Sequence, residues 1–203
     1  HGLDSVSPKF GLTHRHIYKA INQNVDLSIG DALNRIEDGS IGWTYIDQSK
    51  YCKPLHDLVP LRNKLVKRTV LNTVESLIGP IKGINTHSIL GYVHKPYPPI
   101  YASLADQAGF SSSLLIRGVE GGVVPSLRQK GMMVSYHKGE EKNRVDIDPK
   151  TIGIHRELRA ISFPKEFEGL KNRDFLAAYV AELGQSALSG KEGMFYDGLV
   201  YSA

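Results

Sequence analysis

The sequence predicts an α/β protein with a mixed, mainly parallel central sheet and helices on its faces. Two observations lead to this prediction: the first third of the chain has helical periodicity, and the part after Gly79-Pro80 reads strand, helix, strand. That order implies two parallel strands joined by a crossover helix. The composition agrees, because 203 residues with 41% hydrophobic and 23% charged side chains can form one large domain or two small ones.

The predicted helices follow from apolar residues spaced three or four apart. They cover 13–22, 28–37, 58–77, 98–108 and 172–187, and a last one begins at Asp197. Ser28 with Asp31 three residues later is a typical helix start, and Gly39 supplies a stop.

The predicted strands are short apolar runs between turn-forming residues. They cover 41–46, 87–93, 112–119, 122–127 and 132–137, while the charged segment 139–143 reads as a surface turn. Gly109 ends the helix between the second and third of these strands, which completes the βαβ pattern.

Composition also limits the class of protein. The single cysteine, Cys52, excludes an intrachain disulfide and a multi-cysteine zinc site. No window resembles a membrane span or a signal peptide, so we expect a cytoplasmic protein without membrane contact. The net charge of +4 is compatible with an anionic partner without requiring one. A start at His1 and an end at Ala203 within a helical pattern lead us to expect an excerpt of a longer protein.

Two polar segments near the start and middle of the chain are candidate anion sites. His1-Gly2 and the loop with Ser7 and Lys9 run into a predicted helix, and amides at a helix start with a lysine suit a phosphate. A solvated connector explains the same loop. The second segment is basic, and it offers either an anion site or a solvated helix face. It contains Arg62, Lys64, Lys67 and Arg68.

A third candidate lies where a predicted strand ends. Arg117, Gly118 and Glu120 follow the strand 112–119 at its carboxyl end, the edge at which open α/β sheets bind ligands. A tight turn explains the glycines equally well. The histidines give no metal pair, since His14 and His16 differ by two positions and cannot share a helix face.

In order and spacing, these segments resemble the anthranilate phosphoribosyltransferases and their paralogues, the glycosyltransferase family 3 proteins. His1-Gly2 resembles the family's K-H-G-N loop, and Ser7, Lys9 and Gly11 resemble its S-S-K-S-G. The resemblance continues through 24–28, 60–62 and 68–72, and the later strands and helices keep the family's order. It therefore covers nearly the whole chain.

The resemblance implies that residues 1–203 form one α/β domain of the nucleoside phosphorylase and phosphoribosyltransferase type. This domain would lack the N-terminal helical domain and the glycine-rich loop, and would stop within its last helix. The implied ligands are phosphoribosyl pyrophosphate or a related phosphosugar, with magnesium, and the implied full-length assembly is a homodimer. By position, the phosphoribosyl ligand would contact His1, Gly2, Ser7 and Lys9. Arg62 would face the acceptor's carboxylate.

The sequence departs from the family at several of these positions. Leu3 replaces an asparagine that contacts the acceptor, and Pro8 and Leu12 replace serines. Val123 and Val124 replace the acidic pair that serves magnesium, and a valine has no oxygen to offer a hard cation.

Two functional hypotheses follow from the resemblance and its departures. In the first, the protein is a transferase-like enzyme, or a binding protein of the same family, that takes a phosphoribosyl group with an altered acceptor. In the second, it is a catalytically silent paralogue that binds nucleic acid through Lys64, Lys67 and Arg68.

Overall fold

A computed structural model describes residues 1–4, 11–65, 67, 69–161, 163–167 and 169–203. Its contacts divide the chain into two compact units. The first comprises His1–Glu75 and Leu170–Leu183, and the second comprises Ser76–Gly169 and Gly184–Ala203. Among the described residues, no helix is long and apolar enough to cross a bilayer.

Helices account for most of the regular structure. In chain order they are α1 (His14–Ala20), α2 (Ile29–Glu37), α3 (Gln48–Tyr51), α4 (Lys53–His56), α5 (Val59–Asn63), α6 (Leu71–Leu77), α7 (Tyr97–Gln107), α8 (Arg173–Leu188) and α9 (Met194–Ser202). The predicted start of α2 is confirmed, because the Ser28 hydroxyl oxygen accepts a hydrogen bond from the Asp31 backbone N–H at 3.1 Å.

A four-stranded sheet lies in the second unit. Its strands are β1 (His87–Gly91), β2 (Ser112–Ile116), β3 (Gly131–His137) and β4 (Glu140–Ile147), in the spatial order β1-β2-β3-β4. The predicted βαβ unit is confirmed, since β1 and β2 are parallel and α7 connects them. The β2–β3 and β3–β4 pairs are antiparallel, so the sheet is mixed as predicted. The expectation that it is mainly parallel is wrong, because one of the three described strand pairs is parallel.

The core of the second unit lies between α7 and the sheet. Leu115 of β2 and Val134 of β3 are opposite each other and fully buried. Ala102 and Ala105 of α7 pack in the same cluster. Small side chains on the helix allow its backbone to come close to the sheet, which leaves the larger residues of the strands to fill the space.

The predicted strand 41–46 is wrong. Residues 41–46 form no strand, and the nearest bridge is the isolated one between Asp47 and Gly2, directly after the segment. Gly42 has a left-handed backbone (φ 68°) at one end of the segment, and α3 begins directly after Asp47 at the other. Too little extended chain remains to form a ladder.

The predicted strand 122–127 is also wrong. A single 3-10 turn, Val119–Gly121, precedes a loop that an isolated bridge between Gly118 and Pro125 closes. Glu120 (φ 52°) and the glycine after it both have left-handed backbones, which turns the chain back on itself. The Val119 N–H then donates to the Val124 carbonyl at 2.9 Å.

Of the predicted surface turn 139–143, residues 140–143 belong to β4 instead. The real turn is the pair Lys138 (φ 49°) and Gly139 (φ 73°), and two successive left-handed residues form the tight connection that suits a hairpin. Similarly, the single helix predicted over 58–77 is two helices, because α5 ends at Asn63 and α6 begins at Leu71.

Candidate functional site

A short bridge in the first unit holds the residues that resemble the family's K-H-G-N loop. The Gly2 N–H donates to the Ile46 carbonyl at 3.1 Å, and the Gln48 N–H donates to the Gly2 carbonyl at 2.7 Å. A Cβ at Gly2 would lie 3.2 Å from the Tyr45 hydroxyl, so a larger residue would force the tyrosine to shift. The sequence folds in this way because α3 begins at this point, with the Asp47 side chain capping it through the Ser49 N–H.

The ring of His1 is held by two contacts. Its Nε2 lies 2.9 Å from the backbone carbonyl oxygen of Glu75, which means that Nε2 carries the proton in this bond. The ring also stands edge-on to Tyr51, with 5.5 Å between the ring centroids.

Arg62 makes a two-pronged ion pair with Glu75. One terminal nitrogen lies 2.5 Å from Oε1, and the other lies 2.9 Å from Oε2. Gln48 donates from Nε2 to the same Oε1 at 2.7 Å. Arg62 is 3% exposed and Glu75 is 8% exposed, so the pair is screened from water and depends on its own hydrogen bonds.

A second buried carboxylate, Asp47, lies on the other side of the bridge. Arg15 donates from one terminal nitrogen to Asp47 Oδ2 at 3.1 Å and to the Val25 carbonyl at 3.0 Å. The Tyr45 hydroxyl donates to the same Oδ2 at 3.3 Å, and the Ser49 hydroxyl donates to Oδ1 at 2.6 Å. Each buried carboxylate of this cluster is therefore matched by an arginine.

The charges of the cluster act on its tyrosines. Burial raises the pKa of Tyr45 well above its usual range, and the neighbouring Asp47 carboxylate raises it further. Burial likewise raises the pKa of Tyr51, with the Glu75 carboxylate as the second cause. Both phenols are therefore neutral at physiological pH, where they can donate hydrogen bonds but cannot serve as bases.

One polar atom of the cluster lacks a partner among the residues that the structure describes. Gln48 is fully buried, and its Oε1 accepts no hydrogen bond. The amide orientation follows from its neighbour, because a carboxylate only accepts and so must face the Nε2 of Gln48. The cluster thus retains a buried hydrogen-bond acceptor.

The structure brings three of the predicted site residues together. His1, Gly2 and Arg62 all lie around Glu75 and Gln48, which contact them through a carbonyl, a carboxylate or an amide. Lys64 and Lys67 are exposed, as a solvated surface requires. Ser7, Lys9 and Arg68 lie outside the described residues.

The second unit contains the candidate anion loop. Arg117 is exposed after the end of β2, and its backbone N–H donates to the Met132 carbonyl at 2.9 Å. Gly118 packs closely, since a Cβ there would lie 2.9 Å from the Val124 carbonyl oxygen and closer still to that of Gly122. A Cβ at Gly91 would overlap the same part of the loop. These close contacts require the glycines at 91 and 118, whatever the loop binds.

The residues described here do not fit a resident magnesium ion at the position that the resemblance indicates. Val123 and Val124 are 43% and 46% exposed and present only methyl groups. Elsewhere in the described ranges, no group of three or more His, Cys, Asp or Glu side chains could hold a metal ion. A cation that seeks oxygen ligands therefore finds no protein cage in this part of the chain.

Comparison with known proteins shows which proteins the chain resembles. The chain is 30% identical over 162 residues to an uncharacterized protein of Aquifex aeolicus. The matched region covers 79% of this chain and 47% of that protein. It is 24% identical over 154 residues to the anthranilate phosphoribosyltransferase of Aeropyrum pernix (76% and 43%), and 23% identical over 203 residues to that of Novosphingobium aromaticivorans (100% and 56%). The chain is a divergent, anthranilate phosphoribosyltransferase-like protein.

Solved structures agree on the fold of this anthranilate phosphoribosyltransferase-like chain. The Saccharomyces cerevisiae anthranilate phosphoribosyltransferase in complex with PRPP and Mg matches with a TM-score of 0.60 at 17% identity, over 98% of this chain and 58% of that one. The same enzyme in complex with 4-fluoroanthranilate gives 0.56 at 19%, over 87% and 53%. The predicted α/β class is thereby confirmed.

The chain spans about half the length of the curated relatives it matches, so it contains only part of what those proteins contain. No protein-family model matches it. None of the similar proteins supports the nucleic-acid hypothesis.

Sequence reasoning missed Glu75, Gln48, Asp47 and Arg15. A signal for Glu75 was present, because it is a charged residue within the apolar helical pattern of 58–77. A buried charge needs a partner, and an arginine that the family resemblance had already singled out was the obvious candidate.

Proposed function

We propose that the protein to which this chain belongs binds phosphoribosyl pyrophosphate or a related phosphosugar, and that its acceptor differs from anthranilate. The first half of the proposal is supported by similarity to anthranilate phosphoribosyltransferases over at least three quarters of the chain. The yeast enzyme with PRPP and Mg bound supports the same ligand class. His1 and Gly2 stand in a segment whose position is fixed by the hydrogen bonds of Gly2 to Ile46 and Gln48.

The single observation that carries the altered acceptor is the pair between Arg62 and Glu75. By resemblance, Arg62 is the residue that would receive the carboxylate of anthranilate. In this chain both of its terminal nitrogens already bind an internal carboxylate, at 2.5 and 2.9 Å. An acceptor that relies on its own carboxylate therefore finds no free guanidinium nitrogens on Arg62 to bind.

Transfer from such a donor has a simple balance. The nucleophilic atom of the acceptor forms a bond to ribose C1 while the bond from C1 to pyrophosphate breaks. The electron pair leaves with pyrophosphate, and the acceptor loses a proton to the solvent. Because negative charge grows on the leaving group, cationic side chains near the phosphates stabilise the transition state. Lys9 is the lysine that we assign to this role by its position in the sequence.

Calorimetry of the full-length protein tests the proposal. We expect saturable binding of phosphoribosyl pyrophosphate with a Kd below about 1 mM, measured with and without magnesium. Lys9→Ala should weaken it about tenfold or more, as expected for loss of a charge-assisted hydrogen bond. Lys19→Ala is the matched control, since this lysine is exposed in the last turn of α1.

Two results would contradict the proposal. One is the absence of any binding heat with ligand well above about 1 mM. The other is a protein that ignores the phosphosugar but binds duplex DNA, with an affinity that falls as salt rises by about 0.9 log units per phosphate contacted. The second result would restore the nucleic-acid hypothesis in its place.

A further inference from the structure

Arg62 is already engaged in the kind of contact that an acceptor's carboxylate would make. Its two terminal nitrogens face the two oxygens of Glu75, one to one, at 2.5 and 2.9 Å. This parallel arrangement is the one in which an arginine recognises a free carboxylate. Glu75 therefore occupies, from within the chain, the binding capacity that Arg62 would offer to a ligand.

The internal carboxylate is fixed in place. Gln48 donates to Glu75 Oε1 at 2.7 Å, and His1 bonds the Glu75 backbone carbonyl at 2.9 Å. Both members of the ion pair are more than nine-tenths buried. A ligand carboxylate could take Arg62 only by leaving Glu75 buried and charged without its cationic partner, which is strongly unfavourable.

The cluster's remaining hydrogen-bonding capacity favours a different kind of ligand. Gln48 is fully buried, and its Oε1 has no partner among the described residues. A buried acceptor of this kind is stabilised by an N–H donor and destabilised by another carbonyl or carboxylate oxygen. Glu75 also acts only as an acceptor, and Arg15 and Arg62, the two described arginines of the cluster, are both bound to its carboxylates.

We propose that Glu75 is a built-in substitute for the acceptor carboxylate, so that this site rejects carboxylate acceptors and selects a neutral acceptor with N–H donors, of the carboxamide class. The inference rests on the proposed function, because the position of Arg62 at the acceptor site comes from the family resemblance. It adds the residue that sets the specificity and the chemistry that it selects.

Two probes of matched shape test the inference in the full-length protein. Anthranilate and anthranilamide share the ring and the amino group and differ only in carboxylate against carboxamide. We expect the wild-type protein to bind anthranilamide at least about tenfold more tightly than anthranilate by calorimetry. In Glu75→Ala the preference should reverse, because Arg62 is then left with an open fork.

Two further variants make the comparison specific. Glu75→Gln keeps the size of the side chain and removes its charge, so it replaces Glu75→Ala if that variant does not fold. It too should lose the preference for the amide by about tenfold. Glu37→Ala removes an exposed carboxylate at the end of α2 in the same unit, and it should keep the wild-type preference.

A thermal-shift series separates a specificity site from a purely internal ion pair. In Glu75→Ala, propionate replaces only the missing side chain, whereas anthranilate also needs room for its ring. Greater stabilisation by anthranilate than by propionate supports the proposal. Stabilisation by propionate alone overturns it, as does a wild-type protein that prefers anthranilate or binds neither probe.

Phosphoribosyl pyrophosphate is titrated into the same samples. If the wild-type protein does not bind it, the proposed function fails, whatever the acceptor preference. If the wild-type protein binds phosphoribosyl pyrophosphate but substitution of Glu75 leaves the preference for anthranilamide over anthranilate unchanged, only the proposed role of Glu75 fails.

Discussion

Gly118→Ala should disrupt the loop that follows β2. A Cβ at this position would lie 2.9 Å from the Val124 carbonyl oxygen and still closer to the backbone of Gly122. Real Cβ atoms do not approach heavy atoms this closely, and backbone atoms cannot rotate away as the end of a side chain can. The loop would have to move, and its bridge to Pro125 would be lost or distorted.

The expected loss of stability is at the upper end of the range for adding a methyl group to a packed site. Overpacking lowers the free energy of unfolding by typically about 1–3 kcal/mol, and backbone obstruction places Gly118→Ala near about 3 kcal/mol. Urea unfolding followed by circular dichroism measures this as a lower midpoint at unchanged slope.

Gly184→Ala is the matched control. Gly184 lies within α8, and a Cβ there meets nothing within 4 Å. Alanine is the better helix former, so this variant should gain about 0.5–1 kcal/mol. The reasoning would be refuted if Gly118→Ala changed the stability by less than about 0.5 kcal/mol, the usual range of a neutral surface change.

Three other predictions concern the core, the ion pair and pH. Leu115→Ala, at a fully buried position, should lower the free energy of unfolding by about 2–5 kcal/mol in urea. Arg62→Met should lower the free energy of unfolding by about 3–5 kcal/mol, because it leaves Glu75 buried and charged. Adding Glu75→Leu should recover most of that loss, and strictly additive effects in the double-mutant cycle would contradict the pairing. Burial raises the pKa of Tyr45 and Tyr51 above their unfolded value of about 10, so the free energy of unfolding should be unaffected below about pH 10. Above that pH it should fall by up to about 1.4 kcal/mol per pH unit for each tyrosine. Equal urea midpoints at about pH 8 and about pH 11 would contradict this prediction.

Local chemistry explains why the βαβ unit could be predicted and the hairpin after it could not. The strands at 87–91 and 112–116 are apolar runs, and Gly109 with its left-handed backbone (φ 85°) ends the helix between them. By contrast, β4 consists largely of charged residues and is an edge strand, where charges prevent pairing with another chain. Periodicity identifies strands by their buried face, and β4 has almost none.

The two failed strand predictions have one physical cause. Residues 41–46 and 122–127 carry the apolar, β-branched side chains that favour an extended backbone. A strand also needs a neighbour in register over several residues, but 122–127 has an isolated bridge at Pro125 and the bridge beside 41–46 lies at Asp47. The left-handed turns at Gly42 and Glu120 fix where the chain goes next, and a propensity scale does not include them.

In the candidate site, the sequence also predicts the residue within a local motif but not its partners, which are distant in sequence. The resemblance indicated Arg62 by its place in a motif, but a motif does not state what an arginine binds. Its partner Glu75 is 13 residues away, Gln48 is 27 residues from Glu75, and His1 is 74. These separations lie beyond the reach of helical or strand periodicity, and only folding brings the four residues together. Under the proposed function, whether Arg62 is available to an acceptor depends on a carboxylate distant in sequence, so the specificity of the site should be inferred from the partner of the arginine and not from the arginine itself.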